Sequence, residues 1–194
     1  MEITANSYPY NTNVVTRKQY DDHQTLYKGY ISKTNEITNK LAADPQYASA
    51  NAAAGDYRGC KKGETYTLNG VLLHELYFQN LGNQESPPGV KVQHLMDKYF
   101  GGLANWKEDF IACAASARGW CSLVYEQRTQ TCRNILQDAH DQGGIAGAYP
   151  IIVLDMCEHA YFLDYGTDKI AYINRFIANI PWGEIEKRTG QVFR

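Results

Sequence analysis

The sequence has 194 residues, 44% of them hydrophobic, which is enough for one large domain or two small ones. Its 19 basic and 21 acidic residues give a net charge of −2, so neither a nucleic acid nor a membrane surface is expected as a partner. The amino terminus lacks the cationic and apolar pattern of a secretory signal, and no apolar run is long enough to cross a bilayer. The five cysteines form no C-x-x-C pair, which favours free thiols in a reducing cytoplasm over a disulfide framework or a zinc ribbon.

The first half of the chain predicts helices only. Residues 18–41 contain no proline, and their apolar positions follow the spacing of an amphipathic helix. Residues 42–64 are rich in small and turn-forming residues, which indicates a loop with some helix inside it. A second helix is predicted over 66–83, followed by a clear break over 83–89, "NQESPPG".

The second half mixes helices and strands. Two helices come first, over 90–102 and 105–118, with Asn105 as the expected N-cap of the second. Strands are predicted over 120–126, 131–140 and 148–157, and the last helix over 167–180. Because the third strand is a continuous apolar run, it is expected to be central in the sheet.

These elements predict an α+β fold with its boundary near Pro87 and Pro88. The expected architecture is an N-terminal α-helical hairpin domain over 1–86. A C-terminal domain over 87–194 follows, in which helices flank a three-stranded antiparallel sheet.

Three of the five histidines lie in otherwise apolar segments, namely His23, His74 and His159. Each alone is more typical of a hydrogen-bonded core residue than of a metal ligand. Asp155 precedes His159 by four residues, so both would share one face at the start of a helix. Three imidazoles and one carboxylate suit iron or manganese, although zinc could use the same atoms.

Several longer segments resemble the iron/manganese superoxide dismutase family. The most specific is "VLDMCEHAYFLDYGT", and "GVLLHELYFQNL" is similar to a ligand-bearing helix of that family. "YFGGLANWKEDF" and "RGWCSLVY" also resemble segments of the family, and they lie between the first two in the family's order. "HQTLYKGYISKTNEI" resembles the family's first ligand-bearing helix, with one residue fewer. The resemblance runs from about Tyr8 to Trp182.

This resemblance implies an enzyme that converts superoxide to oxygen and hydrogen peroxide with one iron or manganese ion per subunit. The implied metal ligands are His23, His74, Asp155 and His159, although a rival alignment would leave Lys18 at the first ligand position. Further roles are implied for Tyr30 beside the substrate channel, for Trp120 in the pocket wall, and for His140 or Gln142 beside the metal-bound solvent. Glu158 corresponds to a residue that reaches across a dimer interface, which implies a homodimer or a tetramer.

The chain also departs from the family pattern. Common tryptophans are replaced by Phe78, Ser122 and Cys157, a channel tyrosine by Phe162, and a channel histidine by Leu26 or Tyr27. Gly70 is typical of manganese-type members, whereas His140 and Val153 lean towards iron, so iron is the expected metal, with manganese or use of both metals as the alternatives.

Two alternatives to this enzyme follow from the residues. One is a non-catalytic metal-binding or structural member of the same fold, and its sequence sign would be lost ligands. A mononuclear iron oxygenase would need two histidines and one carboxylate with open positions, and a third histidine disfavours it. Cys157 is interpreted as a small buried hydrophobe and not as a nucleophile.

Overall fold

The computed structural model of the protein describes residues 2–83 and 87–192. Helices come first and the sheet follows, which confirms the predicted α+β fold. In chain order the elements are α1 (Arg17–Ala43), a 3-10 turn (Tyr47–Ser49), α2 (Asp56–Asn80), α3 (Val90–Phe100), α4 (Leu103–Ser116), β1 (Trp120–Glu126), β2 (Thr131–Gln137), β3 (Ala148–Asp155), a 3-10 turn (Glu158–Ala160), α5 (Phe162–Tyr165), α6 (Lys169–Ala178) and α7 (Trp182–Val192).

The long helices α1 and α2 pack against each other as a hairpin. The side chain of Thr16 caps α1 by accepting a hydrogen bond from the backbone of Gln19. Helix α2 begins at Asp56, ten residues before the predicted start, so residues 56–64 of the expected loop are helical. The glycines of this stretch favoured the prediction of a loop. The glycine at position 63 instead permits close packing of the two helices, since an added Cβ would lie 2.9 Å from Ile37 Cδ1.

The turn between α3 and α4 differs from the prediction. Helix α4 begins at Leu103 after a Gly102 cap, so the assignment of Asn105 as N-cap is wrong. Asn105 Nδ2 instead donates to the carbonyls of Phe100 and Gly101 at 3.1 and 3.3 Å, closing the end of α3. Gly101 and Gly102 adopt φ of 73° and 128°, which only glycine adopts without strain, and they make the reversal short.

The sheet has the order β2-β1-β3 with antiparallel pairing, so β1 is central and the prediction of a central β3 is wrong. Strand β3 is nevertheless buried, because α2 and α7 pack along it. Side chains from these helices replace a neighbouring strand. Asn80 Oδ1 accepts from the Val153 backbone N–H at 2.6 Å, and Arg188 donates to the Ile151 carbonyl at 2.7 Å. A continuous apolar run therefore indicated burial on both faces, not position in the sheet.

The chain ends with two helices, of which the sequence predicted one. Helix α6 lies within the predicted range, but α7 follows it and was missed. The buried face of α7 includes Arg188 and Thr189 beside Trp182 and Ile185, so half of the buried positions carry polar residues.

One hydrophobic core extends through the described residues of both halves. The domain division after residue 86 stays a prediction, and residues 84–86 of the expected break lie outside the described residues. Among the helices described here, none is both long and apolar enough to cross a membrane.

Candidate metal centre

The strand order brings polar residues to one end of the sheet. Trp120 opens β1 and lies opposite Asp155, which ends β3. On the other side Trp120 pairs with Gln137, which ends β2 three residues before His140. Antiparallel neighbours of a central strand both end where that strand starts, so the three segments meet at this edge.

Four side chains offer ligand atoms that all lie within 4.8 Å of one another, namely His23, His74, Asp155 and His159. Asp155 Oδ2 lies 3.2 Å from Nε2 of both His23 and His159, and 3.7 Å from Nε2 of His74. Helices α1 and α2 supply the first two histidines. The sequence analysis expected Asp155 and His159 to share a helix, which is wrong, because β3 ends at Asp155 and a 3-10 turn carries His159.

The charges at this cluster favour an ionised Asp155 beside neutral rings of His23 and His74. Burial lowers the pKa of His74 to about 3 and also lowers the pKa of His23, so both rings are neutral at pH 7. Burial would raise the pKa of Asp155, but the nearby rings of His159 and His23 hold it below its usual range. For His159 burial lowers the pKa, and contact with Asp155 outweighs this and raises it.

The donor atoms fit a metal cation. Nε2 of His23 and Nε2 of His74 are buried, and neither has a hydrogen-bond partner among the described residues. His74 Nδ1 lies 2.5 Å from the Gly70 carbonyl and donates to it, so the lone pair of the neutral ring is on Nε2. The backbone N–H of Cys157 donates to Asp155 Oδ1 at 2.8 Å, which leaves Oδ2 facing the histidines. Buried nitrogen lone pairs around a carboxylate oxygen repay their desolvation when they bind a cation.

Three more of the expected site residues lie against this cluster. His140 is buried, and its Nδ1 accepts from Trp120 Nε1 at 2.9 Å. The ring centroid of Tyr30 lies 4.8 Å from that of His140 and 5.2 Å from that of His74. The Trp120 ring lies 5.0 Å from that of His74, so these side chains form one wall beside the candidate ligands.

Other expected residues lie elsewhere. Gln142 is exposed and lies outside the cluster, so of the two alternatives His140 is the one brought beside the histidines. Lys18, the rival to His23, is exposed on α1 and pairs with Asp22 at 2.6 Å. Glu158 is exposed beside His159, whose side chain is 35% exposed.

The sequence analysis missed Gln19, which ties the two halves together at the site. This buried side chain donates to the His159 carbonyl at 2.5 Å and accepts from the Leu163 backbone N–H at 3.2 Å. It lies one turn before His23 on the same face of α1. The only signal was a polar residue at a position of the buried helix face.

Three imidazoles and one carboxylate, on an α+β fold, form a donor set that suits a single metal ion. Residues 87–188 match the family model described as iron/manganese superoxide dismutases, C-terminal domain. The chain is 33% identical over 174 residues to superoxide dismutase [Mn] 1 of Halobacterium salinarum, which covers 87% of this chain and 83% of that protein. It is 35% identical over 185 residues to superoxide dismutase [Fe] of Aquifex aeolicus, covering 93% of this chain and 86% of that protein. The chain therefore belongs to the iron/manganese superoxide dismutase family.

Proposed function

We propose that this protein is a superoxide dismutase that converts superoxide to oxygen and hydrogen peroxide, with one iron or manganese ion held by His23, His74, Asp155 and His159. The observation that carries the proposal is the convergence of four donor atoms within 4.8 Å, two of them buried nitrogens without a hydrogen-bond partner among the described residues. Membership of the family supports the same reaction.

A bound iron or manganese ion supplies the change of oxidation state by which superoxide is oxidised in one step and reduced in the next. The chain contributes a single negative charge, that of Asp155, among imidazoles. With a divalent or trivalent ion the centre therefore keeps a positive charge, which attracts a small anion. The Trp120 ring packs against His74 and helps to keep water from the cluster. The other two tryptophans, Trp106 and Trp182, pack against each other elsewhere in the core.

Two side chains hold protons that the second step requires. The Trp120 indole is only a donor, so His140 Nδ1 accepts and His140 Nε2 carries the proton of the neutral ring. That Nε2–H is buried and has no hydrogen-bond partner among the described residues, so it is available to a solvent or oxygen atom. Burial and the neighbouring Tyr66 raise the pKa of Tyr30, whose hydroxyl is protonated and able to donate at neutral pH.

The test is elemental analysis beside a superoxide-consumption assay on protein reconstituted with each metal. His74→Ala should lose both metal and turnover, whereas His94→Ala, which removes an exposed histidine, should keep both. Stoichiometric metal without turnover in the unchanged protein would favour the non-catalytic alternative. Absence of metal after reconstitution would contradict both.

The preference for iron is proposed on the presence of His140 beside the cluster. Manganese-reconstituted protein that is more active than iron-reconstituted protein would contradict it. A cytoplasmic location is also proposed, supported by free thiols at all five cysteines. Cell fractionation with a specific antibody tests this location.

A homodimer is proposed through the surface around Glu158. His159 is partly exposed there, and Phe162 and Leu163 beside it are 51% and 58% exposed. A second copy of the chain on this surface would cover the apolar side chains and a candidate ligand together. Phe162→Asp should shift sedimentation towards monomer, whereas Val90→Asp, at another exposed apolar residue, should not.

A further inference from the structure

His140 lies in a short irregular segment after β2, yet its ring is enclosed by α2. The ring centroid of Tyr66 lies 4.5 Å from that of His140, which makes it the nearest of the aromatic neighbours described. Asn69 Nδ2 donates to the His140 carbonyl at 2.9 Å. At Gly70 an added Cβ would lie 3.2 Å from His140 Cδ2, so the absent side chain provides room for the ring.

These contacts come from one face of one helix. Tyr66, Asn69 and Gly70 are at positions i, i+3 and i+4 of α2, which places them side by side. Tyr66 packs against the ring of His140, Asn69 bonds to its main-chain carbonyl, and Gly70 lies against the edge of the ring. We name this set of three residues the α2 socket.

The imidazole depends on packing because its ring makes one hydrogen bond among the described residues. Trp120 holds one ring nitrogen, at 2.9 Å, and Nε2 has no hydrogen-bond partner among the described residues. Besides Trp120, the ring packs against Tyr30 of α1 and against the α2 socket. A loop residue placed by packing on a rigid helix keeps a defined orientation.

We propose that Tyr66 and Asn69 are positioning residues, which hold the imidazole of His140 against Trp120 and beside the metal ligands. This inference rests on the proposed superoxide dismutase activity. Tyr66 acts through its ring, which forms one wall of the recess, and Asn69 acts through the main chain of His140. Neither residue belongs to the four-donor cluster, so substitution of either one should leave metal binding intact.

The experiment uses metal-loaded full-length protein with Tyr66→Ala, Tyr66→Phe and Asn69→Ala. Two matched controls are Tyr47→Ala, which removes a 72% exposed tyrosine, and Asn39→Ala on the exposed side of α1. Metal content, kcat and KM are measured for each, and crystal structures give the separation of Trp120 Nε1 and His140 Nδ1. Tyr66→Phe keeps the ring and removes only the hydroxyl.

Tyr66→Ala and Asn69→Ala should keep their metal and KM but lose about tenfold or more in kcat. In their crystals the indole–imidazole separation should exceed about 3.5 Å, which is beyond hydrogen-bond range. Both controls should behave like the unchanged protein, and Tyr66→Phe should keep the indole–imidazole separation of the unchanged protein. Rescue by phenylalanine separates positioning by the ring from a role of the hydroxyl.

Unchanged kcat and an unchanged ring position in both alanine variants would overturn the inference. An equally large indole–imidazole separation in Tyr66→Phe and Tyr66→Ala would also overturn it, because the hydroxyl and not the ring would then position His140. If the unchanged protein binds metal without consuming superoxide, the proposed function fails. The crystallographic separation would still decide whether the α2 socket positions His140.

Discussion

At the scale of single residues, Asp155 is the carboxylate that all three candidate histidine ligands face. Asp155→Asn keeps the shape of the side chain and removes its charge, so the metal should be lost or bound at least about tenfold more weakly. Inductively coupled plasma mass spectrometry of dialysed protein measures this. Asp22→Asn on the surface of α1 is the control and should retain metal. A variant with stoichiometric metal and full activity would show that Asp155 is not a ligand.

Sequence reasoning brought together the residues that now form the cluster, because each carries a chemically distinctive side chain in an apolar segment. His23 was placed even though its helix is one residue shorter than the family form. Gln19 and Tyr66 could not be found in this way. Their importance comes from neighbours far along the chain, His159 and His140, and an amide or phenol on a helix has no pattern that points to them.

At the scale of elements, the glycines of the long helices have different roles. Around Gly29 in α1 an added Cβ meets nothing within 4 Å, so Gly29→Ala should stabilise the protein by about 0.5–1 kcal/mol through helix propensity. At Gly70 in α2 the same change puts a Cβ 3.0 Å from Tyr30 and 3.2 Å from His140. Crowding should cost about 1–3 kcal/mol and offset that gain. Chemical denaturation of the two variants gives the comparison, and equal stabilisation by both would contradict the crowding at Gly70.

The outer edge of β3, which pairs with no strand among the described residues, depends on side chains for its hydrogen bonds. Asn80→Ala leaves the Val153 N–H buried without an acceptor, which should lower the free energy of unfolding by about 1–3 kcal/mol. Urea denaturation followed by circular dichroism measures this, with Asn39→Ala as an exposed control. A decrease in the free energy of unfolding no larger than that of the control would mean that a water molecule replaces the Asn80 amide as the acceptor for the Val153 N–H.

Element types were predicted better than their boundaries or their neighbours. Strand β1 has its predicted limits, and the buried face of α1 follows the helical period. The start of α2 and the existence of α7 were missed because Gly63 and Arg188 are used for packing and not for the roles their types suggest. The position of β3 in the sheet depends on which strands pair, and a single apolar run contains no information about its partners.

At the scale of the whole molecule, the cluster joins distant parts of the chain. Two donors come from the helical hairpin, one from the end of β3 and one from the 3-10 turn after it. Metal at 1,000 times its dissociation constant would stabilise the folded chain by about 4 kcal/mol. Removal with a chelator should therefore lower the melting temperature by about 8–16 °C for a protein of this size. Differential scanning calorimetry of loaded and stripped protein tests this, and the same melting temperature in both forms would contradict ligation by both halves.

The same division has a consequence for biosynthesis. While the ribosome is still adding the residues after β2, α1 and α2 are the only elements of the cluster that have been synthesised, and they offer two imidazoles and no carboxylate. A two-donor fragment discriminates poorly among the metals of the cell, since affinity alone follows the general order for divalent ions. Selection of one metal ion over another therefore requires the complete polypeptide, in which Asp155 and His159 have packed against the hairpin and Gln19 holds the His159 carbonyl.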